Sequence, residues 1–124
     1  MITWDDVVRI GSDLPDVAVD MWYGTPALKV RKKSFCRMWS DREHLRDGVD
    51  RADTEVLVVM CDVDEKDALM RSHAALFETP HYEGHGAMLV RLADVNSDLL
   101  ADVLEDAWRQ KAPVTLVKQL DAPN

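Results

Sequence analysis

The sequence predicts an α+β domain, an antiparallel β-sheet of about five strands with helices packed on one face. Three observations predict it. Between Val17 and Trp39 three short apolar segments follow one another with only tight turns between them, which implies an antiparallel meander. Two further apolar segments, Glu55 to Cys61 and Ala87 to Leu92, have the length and β-branched content of strands. Helical three-four spacing appears in separate stretches before, between and after these strands, so the helices have a sheet to cover.

Taken in order, Thr3 before Trp4-Asp5-Asp6 opens a helix, with a hydroxyl at the N-cap and acids in the first turn. Trp4, Val7, Val8 and Gly11 share one face, and Pro15 stops the helix near Asp13. Val17, Val19, Met21 and Tyr23 alternate as in a strand with one face buried. Gly24-Thr25-Pro26 turns the chain into a second strand, in which Leu28 and Val30 face one way and Lys29 and Arg31 the other. Arg31 to Ser34 is short enough to be a hairpin tip, and Phe35 to Trp39 completes the meander.

From Ser40 to Asp53 charge dominates and Gly48 breaks any long helix, so an exposed connection is expected, with one helical turn at Arg42 to Leu45. Glu55 to Cys61 is apolar on both faces and belongs in the middle of a sheet. Asp62 to Asp64 caps a helix reaching His73 or Leu76, with Ala68, Leu69 and Leu76 toward the core, and Thr79-Pro80 ends it. After the strand Ala87 to Leu92, Asn96-Ser97-Asp98 caps the strongest helix. Its apolar stripe is Leu100, Val103, Leu104, Ala107 and Trp108. Pro113 ends or restarts it, and Val114 to Leu120 carries no assignable pattern.

The totals bound the function. At 124 residues the chain fits one domain spanning 1–124, and its formal charge of -8 opposes nucleic-acid binding on the whole-molecule scale. The charge is uneven, because Met21 to Ser40 holds Lys29, Arg31, Lys32, Lys33 and Arg37 and no acid. Nothing resembles a targeting segment or a membrane span, so the expectation is a soluble cytoplasmic protein with no membrane partner. Cys36 and Cys61 lie in apolar strands, where burial makes the thiolate scarce, and are expected to be reduced core residues.

No reaction signature is present: there is no G-x-S-x-G, no P-loop and no G-x-G-x-x-G. The stretch Thr79-Pro80-His81-Tyr82-Glu83-Gly84-His85-Gly86 is dense in His, Tyr and Gly, yet its glycines disfavour the helix that would align two histidines on a metal. The reading preferred for His81 and Tyr82 is that they fix the turn by hydrogen bonds. The acids Asp98, Asp102, Glu105 and Asp106 oppose an apolar stripe and read as a solvated face. No catalytic residue, metal or cofactor is therefore expected, and the chain reads as non-enzymatic.

Two binding surfaces remain. The basic hairpin of Lys29, Arg31, Lys32, Lys33 and Arg37, with Trp22 and Trp39 near, would serve as a wing on a phosphate backbone. Lysines at strand ends also keep sheets from sticking to one another, which is the bland alternative. The second surface is a cleft for a protein or small ligand beside Gly24, Thr25, Pro26, Pro80, His81, Tyr82 and Gly84.

One resemblance joins these pieces. The segments Tyr23-Gly24-Thr25-Pro26-Ala27-Leu28-Lys29-Val30, Lys33-Ser34-Phe35-Cys36, Thr79 to Gly84, Leu89-Val90-Arg91-Leu92 and Ala107-Trp108-Arg109, in this order, resemble the MmcQ/YjbR family of small bacterial proteins. The resemblance runs from the first helix to Pro113. It implies an antiparallel α+β domain and a DNA-binding role without a defined catalytic set. Its basic strand-turn-strand falls on Lys29, Arg31, Lys32 and Lys33, and its turn motif on Pro80, His81, Tyr82 and Gly84.

Overall fold

A computed structural model describes residues 1–123. Six strands form one sheet in the order β1-β2-β3-β4-β6-β5, every neighbouring pair antiparallel. The strands are β1 (Val17–Trp22), β2 (Thr25–Val30), β3 (Lys33–Met38), β4 (Val56–Met60), β5 (Leu76–Phe77) and β6 (Ala87–Arg91). The helices are α1 (Trp4–Gly11), α2 (Asp41–Asp47), α3 (Val63–Ser72), α4 (Ser97–Lys111) and α5 (Val114–Asp121), with a single 3₁₀ turn at Pro80–Tyr82. The α+β class and the antiparallel meander are as expected. The sixth strand is β5: Leu76 leaves the helix pattern after His73 and pairs with Val90.

Register sorts the side chains onto two faces, since directly paired residues point the same way. Leu28, Cys36, Val59 and Met88 stand in one row, and Met38, Leu57, Val90 and Leu76 in the next. Both rows pack with Val7 of α1 and with Leu100, Val103, Leu104, Ala107 and Trp108 of α4, the stripe read from the sequence. β4, apolar on both faces, sits between β3 and β6 as anticipated. The opposite face holds a smaller cluster of Trp39, Val56, Val58, Ala87 and Leu89, covered by Val49, Phe77 and Tyr82.

α1 approaches β2 closely. A Cβ added to Gly11 would lie 2.4 Å from Cδ1 of the buried Leu28, so any larger residue at this helix end would have to push that methyl aside. Tyr23 and Gly24, with φ of +53° and +75°, make the two-residue loop of the first hairpin, and Arg31 and Lys32, at +49° and +70°, make that of the second. Thr25 and Pro26 therefore already belong to β2, and Lys33 and Ser34 to β3, which moves both turns from the positions expected for them.

Three further expectations change. Val19, Met21 and Tyr23 are 56%, 53% and 75% exposed rather than buried, because β1 is an edge strand beyond the reach of the covering helices. α2 runs for two turns, not one: Ser40 accepts from the Glu43 N–H at its start, and Gly48, at φ +71°, stops it. On α3 the buried residue is Lys66, whereas Ala68 is exposed. Beyond Pro113 the unassigned tail restarts as α5, held by Leu116 in the core. No helix is long and apolar enough to cross a membrane among the described residues.

Candidate functional site

The Thr79–Gly84 turn docks on α2 through its own side chains. Thr79 Oγ1 donates to Asp47 Oδ2 at 2.7 Å and His81 Nδ1 lies 3.0 Å from Asp47 Oδ1. The Tyr82 hydroxyl accepts from Trp39 Nε1 at 2.9 Å and donates to Glu43 Oε2 at 3.2 Å. Gly84, at φ +75°, turns the chain toward β6. From beneath, Lys66 Nζ reaches three backbone carbonyls, of Tyr82 at 2.6 Å, His85 at 2.9 Å and Ala87 at 3.2 Å. Its ammonium also lies 3.4 Å from Glu78 Oε2. The expectation that His81 and Tyr82 fix the turn by hydrogen bonds matches this geometry.

The same α2 takes Arg37 out of the basic surface. Arg37 is 7% exposed and its guanidinium donates to both oxygens of Glu43, at 2.7 and 2.8 Å. Its planar head also lies 5.2 Å from the centroid of the Tyr23 ring and 5.9 Å from that of Trp22. Burial alone would raise the Glu43 carboxyl, but the Arg37 guanidinium and the Ser40 N–H hold it down at about 2. Asp47 is held near the same value, about 2, chiefly by Arg46 and, against burial, by Thr79. Burial pushes the Tyr82 phenol up. Arg37 is thus corrected from a surface base to a buried structural cation, and Glu43, Asp47 and Lys66 are the partners that sequence reasoning missed. Their signal was weak, since each is one charge among many on a polar helix.

The remaining bases behave differently. Arg31 Nε donates to Asp16 at 2.7 Å, and Lys29 Nζ lies 3.3 Å from Asp20, so both carry a carboxylate partner. Lys32 and Lys33 are exposed. Lys29, Lys32, Lys33 and Lys111 come together with Trp22, Ser34 and Gln110 around an open concavity of about 400 Å³. Lys111 ends α4 and was not among the expected bases. The expected cleft is not assembled as one site. A concavity of about 340 Å³ uses Gly24, Thr25 and Pro26 together with Trp4, Met38 and Trp39, while His81 and Tyr82 are not in its lining. A third hollow, of about 450 Å³, lies along α2 from Asp41 to Arg51.

The cysteines lack the features of nucleophiles: burial pushes Cys36 up to about 12 and Cys61 up to about 11. Among the described residues no group of three His, Cys, Asp or Glu side chains is placed to hold a metal ion.

Sheet order, helix placement and the docked turn define a class, the small α+β domain with a six-stranded antiparallel sheet. A solved structure shares it: the crystal structure of Deinococcus radiodurans protein DR2400, a DUF419 domain, superposes with a TM-score of 0.65 over 99% of this chain and 91% of that one, at 19% identity. The sequence relationship is more specific. The YjbR family model matches residues 12–110, and the chain belongs to the YjbR family. It is 35% identical to the uncharacterized proteins Rv2570 of Mycobacterium tuberculosis and Mb2600 of Mycobacterium bovis, over 95% of both chains in each case.

Proposed function

We propose that the chain is a non-enzymatic cytoplasmic binding protein that contacts nucleic-acid phosphates through Lys29, Lys32, Lys33 and Lys111, with Trp22 available to a base. The observation that carries this reading is the convergence of four lysines and a tryptophan on one open concavity of a protein whose net charge is -8. Against an acidic background, four ammonium groups gathered on one surface define where a polyanion is attracted. The contact set differs from the one the sequence implied, since Arg37 serves the Glu43 network, Arg31 carries Asp16, and Lys29, beside Asp20, contributes less than Lys32, Lys33 and Lys111. Binding is accordingly weak, with a shallow salt slope corresponding to about three or four phosphates. A ligand site formed by His81 and Tyr82 draws less support, because both are engaged with Asp47, Trp39 and Glu43.

The test is fluorescence anisotropy with labelled single-stranded and duplex oligonucleotides, at rising salt. Binding is expected at low salt and is expected to fall by about tenfold or more with Lys32→Glu combined with Lys33→Glu. No binding at low salt, or binding that the double substitution leaves unchanged, defeats the proposal.

A further inference from the structure

The two edges of the sheet differ in how they are protected. β5 has two residues, too short to template another strand, and the Ala75 carbonyl beside it accepts from the Arg91 N–H. β1 has six residues, no proline, lysine or arginine, and three of its apolar side chains or those of its turn are more than half exposed: Val19, Met21 and Tyr23. A two-residue loop makes the flanking Trp22 and Thr25 a hydrogen-bonded pair, so Asp20 and Ala18 also turn their backbone groups toward β2. The N–H and C=O groups of Val17, Val19 and Met21 then face outward. In agreement, the Met21 N–H is taken up by the adjacent Asp20 carboxylate at 2.7 Å, not by a strand.

We infer that β1 is a homodimerisation edge, pairing antiparallel with β1 of a second copy about a two-fold axis through Val19. The chemistry of the strand selects this occupant. A two-fold axis normal to the sheet keeps each copy's faces aligned, so paired residues must come from the same face. Val17, Val19 and Met21 share the helix-covered face, because they stand opposite Val30, Leu28 and Pro26. Centring on Val19 places Val17 against the partner's Met21 and Val19 against the partner's Val19, a continuous apolar row. It also joins the outward backbone groups of both strands in hydrogen-bonded pairs. On the other face Ala18 meets the partner's Asp20, and no two charges of like sign are opposed. Centring one residue later would oppose the two Asp20 carboxylates and use backbone groups already bonded to β2. Pairing transfers the Met21 N–H to the partner's Val17 carbonyl, while Asp20 keeps its contact with Lys29.

The test is sedimentation velocity over a wide concentration range, with site-directed cross-linking. The wild-type chain is expected to shift from monomer to dimer as concentration rises, and more readily at higher salt, which screens two acidic bodies from each other. Val19→Lys sets two ammonium groups at the axis and is expected to weaken the dimer about tenfold or more, with circular dichroism unchanged since the site is exposed. Val19→Cys brings two thiols within disulfide reach across the axis, whereas Val17→Cys leaves them about 13 Å apart. With Cys36 and Cys61 buried, oxidation should link the first variant and not the second. A chain that stays monomeric at several hundred micromolar, a dimer indifferent to Val19→Lys, or equal cross-linking of the two cysteine variants overturns the inference. None of these readouts involves nucleic acid, so failure here leaves the proposed phosphate contact standing, and the reverse holds too.

Discussion

Lys66 shows what a single residue in a sequence conceals. On the helix Val63–Ser72 it sits among Asp62, Asp64, Glu65 and Asp67 and reads as part of a solvated acidic face, yet it is 3% exposed. The carbonyls it serves lie 16, 19 and 21 residues further along, and no local spacing encodes such a contact. Arg37 is concealed differently: its partner Glu43 is only six residues on, but the sequence does not show that the short helix carrying it folds back over the Arg37 side of the sheet. Replacing Lys66 with Met keeps the aliphatic stem and deletes the donor, so the His85 and Ala87 carbonyls lose the ammonium, the Tyr82 carbonyl keeps only the His85 N–H, and the Glu78 carboxylate is left beside no cation. A loss of about 2–4 kcal/mol in urea unfolding is expected, with faster amide exchange from Glu83 to Ala87. A loss under about 0.5 kcal/mol would mean that water replaces the ammonium without penalty.

Among the elements, those with a strong periodic signal were legible and those made by turn geometry were not. The α4 stripe of Leu100, Val103, Leu104, Ala107 and Trp108 is buried as read, because fifteen residues give several repeats of one pattern. β5 has two residues and offers no period at all. The hairpin between β2 and β3 lacks any Asn or Gly, the usual sign of a loop with both central residues at positive φ, so the sequence predicts a tip two residues wider than the one that forms. That mismatch makes the loop improvable. Arg31→Asn combined with Lys32→Gly supplies the residues that tolerate this backbone, and removes an exposed ion pair of little weight. Stability should rise by about 1 kcal/mol in chemical denaturation while oligonucleotide affinity falls, separating the fold's interest from the binding surface's. A destabilised double variant would show that the Arg31–Asp16 contact outweighs the backbone strain.

At the scale of the whole molecule, the acidic composition reads as a statement about partners, but two of its carboxylates hold the second face of the sheet together. Glu43 is drawn from its ordinary 4.5 to about 2, and Asp47 from 3.8 to about 2. A depressed folded pKa contributes stability that is complete above the unfolded value and is lost as pH falls through the folded one. The window therefore runs from about pH 4.5 down to about pH 2, and the two shifts together are worth on the order of a few kcal/mol. Both groups are shielded from water, Asp47 at 2% and Glu43 at 13% side-chain exposure, so the effect should survive moderate salt. Urea titrations in steps from neutral pH to about pH 3 should show the midpoint falling steeply below about pH 4.5. Glu43→Gln should be less stable at neutral pH, since the Arg37 guanidinium loses its counter-charge, and its acid dependence should be flatter. If the wild type kept its neutral stability at about pH 3, or if Glu43→Gln lost stability on acidification as steeply as the wild type, the Arg37–Glu43 network would not be what joins α2 to the sheet.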